Sequence, residues 1–142
     1  MTNDLPSHDY LLDTQVGFLL RRATQRHLAI FAALIPGLTP TQFAALAKLC
    51  ELGPTTQNAL GRATAMDAAT IKGVIDRLRD KGLIATTRDA EDRRRLFVAA
   101  TTAGKDAFDA ARAKASEISA ETLAPLSATE QATFLTLLTR LT

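Results

Sequence analysis

Three short helical patterns, followed by two strand-length segments around a charged turn, constrain the fold of this 142-residue chain more than any other feature. The first helix is predicted from the capping box TPTQ at residues 39–42, and it stops at Gly53-Pro54. Thr55 is then expected to cap a second, short helix that runs to about residue 63. The third is predicted over residues 67–82. It ends at Gly82, because a Gly commonly occupies the left-handed position that follows the last turn of a helix.

Apolar spacing gives two of these helices a buried face. The first is expected to bury Phe43, Leu46, Ala47 and Cys50. The third is expected to bury Ile71, Val74 or Ile75, and Leu78. Its outward residues then include Ala69, Thr70, Lys72, Gly73, Asp76 and Arg77.

Residues 83–88 and 95–99 have the length of strands, and the charged segment 89–94 between them predicts a β-hairpin. Longer helices flank this unit. One is expected over residues 9–35 and another over residues 101–124. A last helix follows the capping box at residues 127–130, with Phe134, Leu137, Leu138 and Leu141 on one face.

Several classes of protein do not fit this sequence. With one cysteine, Cys50, and two histidines, His8 and His27, neither an intrachain disulfide nor a metal site is expected. No glycine-rich phosphate loop or nucleophile pattern is present, so neither an enzyme nor a cofactor is expected. The acidic, polar N-terminus and the lack of a long apolar run predict a cytoplasmic protein with no membrane partner.

Charge is concentrated in the third helix and the hairpin, although the whole chain has a net charge of only +2. Residues 72–95 hold eight basic and five acidic side chains, which gives +3 in 24 residues. A local basic patch is typical of a polyanion-binding surface. Three short helices and a hairpin predict a winged helix-turn-helix, whose third helix enters the DNA major groove.

The hairpin and the helix after it resemble the MarR family of bacterial regulators. The wing motif of that family is Asp-x-Arg, five residues, Leu-Thr, two residues, Gly. Here Asp92, Arg94, Thr101 and Gly104 match it, and Ala100 replaces the Leu. Residues 38–43, 74–78 and 82–84 are also similar to family segments, so the resemblance spans roughly residues 10–140.

The resemblance implies one domain over residues 1–142. Residues 38–100 would form the winged helix-turn-helix, and residues 9–35 and 101–142 would form the helices of a homodimer. The partner would be a double-stranded, palindromic operator. Arg94 would enter the minor groove, held by Asp92, with Arg93 and Arg95 as phosphate or structural partners. The expected DNA-binding residues are Thr70, Lys72, Gly73, Arg77, Asp92, Arg93, Arg94 and Arg95.

The resemblance further implies a repressor released by a small aromatic carboxylate, in a context of aromatic-compound breakdown. Such an acid needs a cation or hydroxyls for its carboxylate and an apolar slot for its ring. His8, Tyr10, Thr39 and Phe43 are the candidates. His27, on the apolar stripe of the first helix, is interpreted as a core histidine.

Two alternatives remain open from the sequence. Cys50 could sense oxidants, but its place on an apolar stripe favours a small core residue. A protein-interaction module that has lost DNA binding is the second alternative, and the intact Arg77, Asp92 and Arg94 argue against it.

Overall fold

The computed structural model describes residues 10–142 and confirms a mainly helical fold with a small β-hairpin wing. Within this range a short 3-10 turn, Leu12–Thr14, precedes the helices and strands. Their bounds are α1 Val16–Leu34, α2 Pro40–Leu52, β1 Thr55–Thr56, α3 Gln57–Ala63, α4 Ala68–Asp80, β2 Ile84–Arg88, β3 Leu96–Ala100, α5 Thr102–Leu123 and α6 Ala128–Thr139.

The prediction of one continuous helix over residues 9–35 is wrong at its N-terminal end. Gln15 has an extended backbone, with φ −80° and ψ 138°, and separates the 3-10 turn from α1. The side chains of Thr14 and Gln15 both donate to the carbonyl of Leu11, each at 3.0 Å. These local bonds stabilise a turn and compete with the helix. Position 9 lies outside the described residues.

Helix α2 begins as predicted, but its buried face is different. Thr39 Oγ1 accepts from the Gln42 amide at 3.2 Å, and Gln42 Oε1 accepts from the Thr39 amide at 3.3 Å, so the capping box is confirmed. The buried residues of α2 are Gln42, Ala45, Leu46 and Leu49. Of the expected set only Leu46 is buried, and Phe43, Ala47 and Cys50 are half-buried. The difference arises because α2 contacts α4 and β3 as well as α5, where Phe43 packs against Phe108.

Thr55 does not cap the second helix, because it belongs to a two-residue strand. Thr56 is the N-cap of α3, and its hydroxyl accepts from the Ala59 amide at 3.2 Å. Strand β1 pairs antiparallel with β3, so that Thr55 lies opposite Val98 and Thr56 opposite Phe97. Such a short strand has no apolar periodicity to predict it.

Helix α4 and the hairpin form as predicted. All four of Ile71, Val74, Ile75 and Leu78 are buried, and Gly82 has the expected positive φ of 75°. Strands β2 and β3 pair from Ile84 opposite Ala100 to Arg88 opposite Leu96, and the sheet order is β1-β3-β2. The centre of the core consists of Leu46, Leu60, Ile71, Ile75, Leu78 and Val98.

Large apolar side chains remain exposed on the flanking helices. Helix α1 buries only Phe31, and α6 buries none of its residues. Leu141, expected on the apolar face of the last helix, follows the end of α6 at Thr139. None of the helices in residues 10–142 is long and apolar enough to cross a membrane. The exposed set is Tyr10, Leu11, Leu12, Val16, Leu19, Leu20, Leu28, Leu52, Phe134, Leu135, Leu137 and Leu141.

Candidate nucleic-acid interface

A cleft of about 330 Å³ lies between α4, α3 and the wing, which we define as residues 84–100. We call it the cationic cleft, because five of its lining residues are basic and only Asp76 is acidic. Its lining residues are Thr56, Gln57, Asn58, Lys72, Asp76, Arg79, Arg88, Arg94, Arg95 and Leu96. A concave surface of one charge sign concentrates the field that attracts a polyanion.

The cleft brings Lys72 from α4, which we call the recognition helix, together with Arg94 and Arg95 from the wing. Arg79 and Arg88 belong to the basic patch predicted from the sequence but not to the expected DNA-binding residues. The hairpin register, with Arg88 opposite Leu96, is the signal that could have placed Arg88 beside Arg94 and Arg95.

Arg77 lies on the exposed side of α4 and is the least encumbered cation of that helix. No carboxylate within residues 10–142 lies within 4.0 Å of its guanidinium, whereas Lys72 and Arg79 are both paired. A Cβ built on Gly73 would lie 3.1 Å from Arg77 Nη1. Because Gly73 has no side chain, the Arg77 guanidinium can lie over it along the helix. Thr70, one turn before Gly73 and two turns before Arg77, is also exposed.

Asp76 neutralises two of the cations that line the cleft. Its carboxylate contacts Lys72 Nζ and Arg79 Nη2, both at 3.0 Å. The hydrogen bond from Lys72 lowers the pKa of the Asp76 carboxyl, and the charges of Lys72, Arg79 and Arg77 act in the same direction. Asp76 therefore stays ionised at neutral pH and opposes a phosphate in the cleft.

We expect Asp76→Asn to strengthen DNA binding by roughly threefold to tenfold near 0.1 M salt, because it removes a negative charge and frees two cations. The measurement is fluorescence anisotropy over a salt series, in which the salt slope should become steeper. Asp80→Asn removes the same charge from an exposed position of α4 that does not line the cleft. Equal gains from both variants would contradict a specific role of Asp76.

Arg94 projects from the wing tip into solvent. The side chain of Arg94 is 93% exposed, and its Nε lies 3.2 Å from Asp92 Oδ1, which also accepts from the Arg94 amide at 3.1 Å. Asp92 thus fixes the base of a side chain whose end stays free. Arg95 is held differently, with its guanidinium 3.7 Å from Asp89 and over the ring of Phe97. Arg93 is exposed, and its carbonyl accepts from Arg88.

The candidate ligand residues that the structure describes do not line one common groove. His8 lies outside the described residues, and Tyr10 is 64% exposed. Thr39 lines an open groove between the end of α1 and the start of α2. Phe43 does not line that groove. Its ring packs edge-on to Phe31 and tilted against Phe108, with centroid distances of 6.0 and 5.5 Å.

His27 and Cys50 are only half-buried, so neither is a fully enclosed core residue. His27 Nδ1 is 2.9 Å from Thr122 Oγ1, which satisfies one ring nitrogen. Burial raises the pKa of the Cys50 thiol, and the charge of Asp109 adds to this, while Lys105 acts in the opposite direction. A protonated thiol is a poor nucleophile toward oxidants.

The family model described as "MarR family" matches residues 38–96, which include the recognition helix and most of the wing. The HTH-type transcriptional repressor NicR of Pseudomonas putida is 40% identical over 139 residues, covering 96% of this chain and 88% of NicR. This relation extends well beyond the segment that the family model matches.

Two solved structures share the fold over nearly the whole chain. A probable transcriptional regulator from Pseudomonas aeruginosa is 55% identical with a TM-score of 0.88, covering 93% of this chain and 100% of that one. BpsR of Bordetella bronchiseptica, whose DNA binding is regulated by 6-hydroxynicotinic acid, is 38% identical with a TM-score of 0.87, covering 93% and 96%. The chain therefore belongs to the MarR family and is a winged helix-turn-helix transcriptional regulator.

Proposed function

We propose that the protein is a homodimeric repressor that binds a palindromic operator and leaves it when a small aromatic carboxylate binds. The observation that carries the proposal is the pairing of two sites in one chain. The cationic cleft, flanked by Arg77 and Arg94, suits duplex DNA. On the α1–α2 corner, an apolar groove with one cation suits an aromatic acid.

DNA would be read by α4 and the wing together. Arg77, with no carboxylate partner in residues 10–142, would bind a base edge in the major groove, where Arg commonly pairs with guanine. Thr70, Lys72 and Gly73 would lie against the same groove. Arg94 would enter the minor groove, which attracts Arg where it is narrow. Arg79, Arg88, Arg93 and Arg95 would contact phosphates.

The dimer would form through the flanking helices. In residues 10–142 the exposed large apolar side chains concentrate on α1, the segment before it, and α6. Arg26 donates to the carbonyls of Glu121 and Thr122, which joins α1 to the end of α5. The chain would thus be one domain, residues 1–142, with residues 38–100 on DNA and the dimerisation helices in residues 9–35 and 101–142. Two-fold symmetry matches a palindromic operator.

The effector groove, as we call the open groove at the α1–α2 corner, has a volume of about 340 Å³. This volume lies within the usual range for small-molecule sites. Leu28 and Phe31 supply an apolar wall, and Phe43 supports the ring of Phe31 from behind. The Thr39 hydroxyl and the Lys81 ammonium lie on the same groove. Its lining residues are Leu28, Phe31, Ala32, Ile35, Pro36, Gly37, Leu38, Thr39, Pro40 and Lys81.

The relatives support this choice of effector class. BpsR responds to 6-hydroxynicotinic acid, a hydroxylated ring that carries a carboxylate. NicR is a repressor. By analogy, we infer that this protein controls genes for the breakdown of an aromatic or heteroaromatic acid.

The test is fluorescence anisotropy with DNA from upstream of the protein's own gene, followed by a panel of aromatic acids. We expect tight, salt-dependent binding that at least one acid reverses. Hydrogen peroxide should release neither the wild type nor Cys50→Ser. Binding no tighter than to random DNA would contradict the DNA role, and release of the wild type alone by peroxide would favour oxidant sensing.

A further inference from the structure

Lys81 connects the end of the recognition helix to the corner between α1 and α2. It follows directly after α4, and its ammonium donates to the Gly37 carbonyl at 3.1 Å and to Gln42 Oε1 at 2.9 Å. These partners lie 44 and 39 positions earlier in the chain. The same side chain therefore lines the effector groove and anchors the C-terminal end of α4.

Both acceptors of this ammonium are neutral. No carboxylate within residues 10–142 lies within 4.0 Å of Lys81, although most other cations near α4 and the wing are paired. A hydrogen bond between two charged groups is stronger than one to a neutral acceptor. A carboxylate that enters the groove would therefore compete successfully with Gly37 and Gln42 for the ammonium.

The structure around Gln42 permits this exchange. Gln42 is only 4% exposed, so its amide oxygen needs a hydrogen-bond donor at all times. That oxygen also accepts from the Thr39 amide at 3.3 Å, a bond that the capping box keeps when Lys81 leaves. Gly37 is exposed, so water can satisfy its carbonyl. Lys81 can therefore leave both acceptors without depriving a buried polar atom of its last partner.

We propose that Lys81 is the residue that senses the effector carboxylate and transmits its binding to the recognition helix. The inference rests on the proposed function and adds its mechanism. When the ammonium turns to the carboxylate, the end of α4 loses its anchor to the α1–α2 corner. The amides of Lys81, Gly82 and Leu83, which donate to the carbonyls of Arg77, Arg79 and Leu78, then open more often. Operator DNA, which needs an ordered α4, is bound less tightly.

The experiment uses 6-hydroxynicotinate as the probe and 6-hydroxynicotinamide as its uncharged counterpart. Anisotropy gives the half-release concentration, which is the probe concentration that releases half of the bound operator. This concentration is corrected for each variant's own affinity for the operator. Hydrogen exchange gives the opening of amides 81–83. In the wild type, 6-hydroxynicotinate should release the operator and speed the exchange of amides 81–83 severalfold. The uncharged 6-hydroxynicotinamide should do neither.

In Lys81→Met the half-release concentration should rise at least about tenfold, as expected for loss of a typical coupling. Its amides 81–83 should exchange fast even without the acid, and the acid should add nothing. Lys81→Arg keeps the charge and should recover at least part of the response. Lys105→Met removes the same charge from α5, outside the effector groove, and should respond like the wild type.

The outcomes separate the two proposals. If the acid releases the wild type and Lys81→Met at the same concentration, the role of Lys81 is wrong and the proposed function stands. If 6-hydroxynicotinamide releases the operator as effectively as 6-hydroxynicotinate does, charge sensing by Lys81 is also overturned. If neither the probe nor any acid of the panel releases the wild type, the proposed function fails and this mechanism fails with it.

Discussion

We expect the double variant R77A/R94A to lose operator binding by at least about 100-fold while it stays folded and dimeric. A good arginine–base contact contributes about 1–3 kcal/mol of discrimination, and a dimer would lose four such side chains. Neither side chain supports the core, since Arg77 is exposed and the side chain of Arg94 is 93% exposed. Anisotropy with operator and random DNA measures the loss, and circular dichroism and gel filtration check the fold and the dimer.

The two single variants should change DNA recognition in different ways. Arg77→Ala should relax the base preference at one position of each half-site, whereas Arg94→Ala should weaken binding most where the minor groove is narrow. The matched control is R112A/K114A, which removes two positive charges from α5, away from the cationic cleft. Operator binding that survives in R77A/R94A would refute both assigned roles and would favour an interaction module. A loss of equal size in the control would show that only net charge matters.

Features that depend on a few neighbouring residues could be predicted from the sequence. The capping boxes of α2 and α6 follow from the residue types at 39–42 and 127–130, because both partners lie three positions apart. The buried face of α4 follows from its apolar spacing, and the hairpin follows from two short apolar segments around a charged one. The fold class was therefore predictable. Four of the six residues expected to face outward on α4 are exposed, whereas Gly73 and Asp76 are half-buried.

Features that depend on distant partners could not be predicted in the same way. Strand β1 exists because β3 offers it an edge more than 40 residues later in the chain. The buried face of α2 depends on which side α4 and β3 occupy, and the apolar spacing that indicated Phe43, Ala47 and Cys50 does not determine that side. Lys81 was counted only as part of the basic patch, because its contacts with Gly37 and Gln42 join segments far apart in sequence.

We expect Gly104→Ala to destabilise the fold by about 3 kcal/mol, because the added methyl group has no space. A Cβ at this position would lie 1.9 Å from the Leu83 carbonyl oxygen and 2.9 Å from its carbon. Thr101 holds the two segments together, since its amide donates to that same oxygen at 3.0 Å and its hydroxyl donates to the Gly82 carbonyl at 2.8 Å. The backbone must therefore shift at the junction of β2 and α5. Scanning calorimetry should show a Tm lower by about 6–12 °C for a chain of this size.

Gly37→Ala is the matched control, since it adds the same methyl group at an exposed position outside the proposed dimer helices. Among the described residues, no atom beyond its chain neighbours lies within 4 Å of the new Cβ. It should leave the Tm unchanged or raise it slightly, because Ala restricts the unfolded chain more than Gly does. Both variants are compared at one protein concentration, because the stability of a dimer depends on concentration. A Gly104→Ala protein that melts within about 2 °C of the wild type would show that α5 moves away from Leu83 at little energetic cost. The close approach would then be a property of this arrangement and not a requirement of the fold.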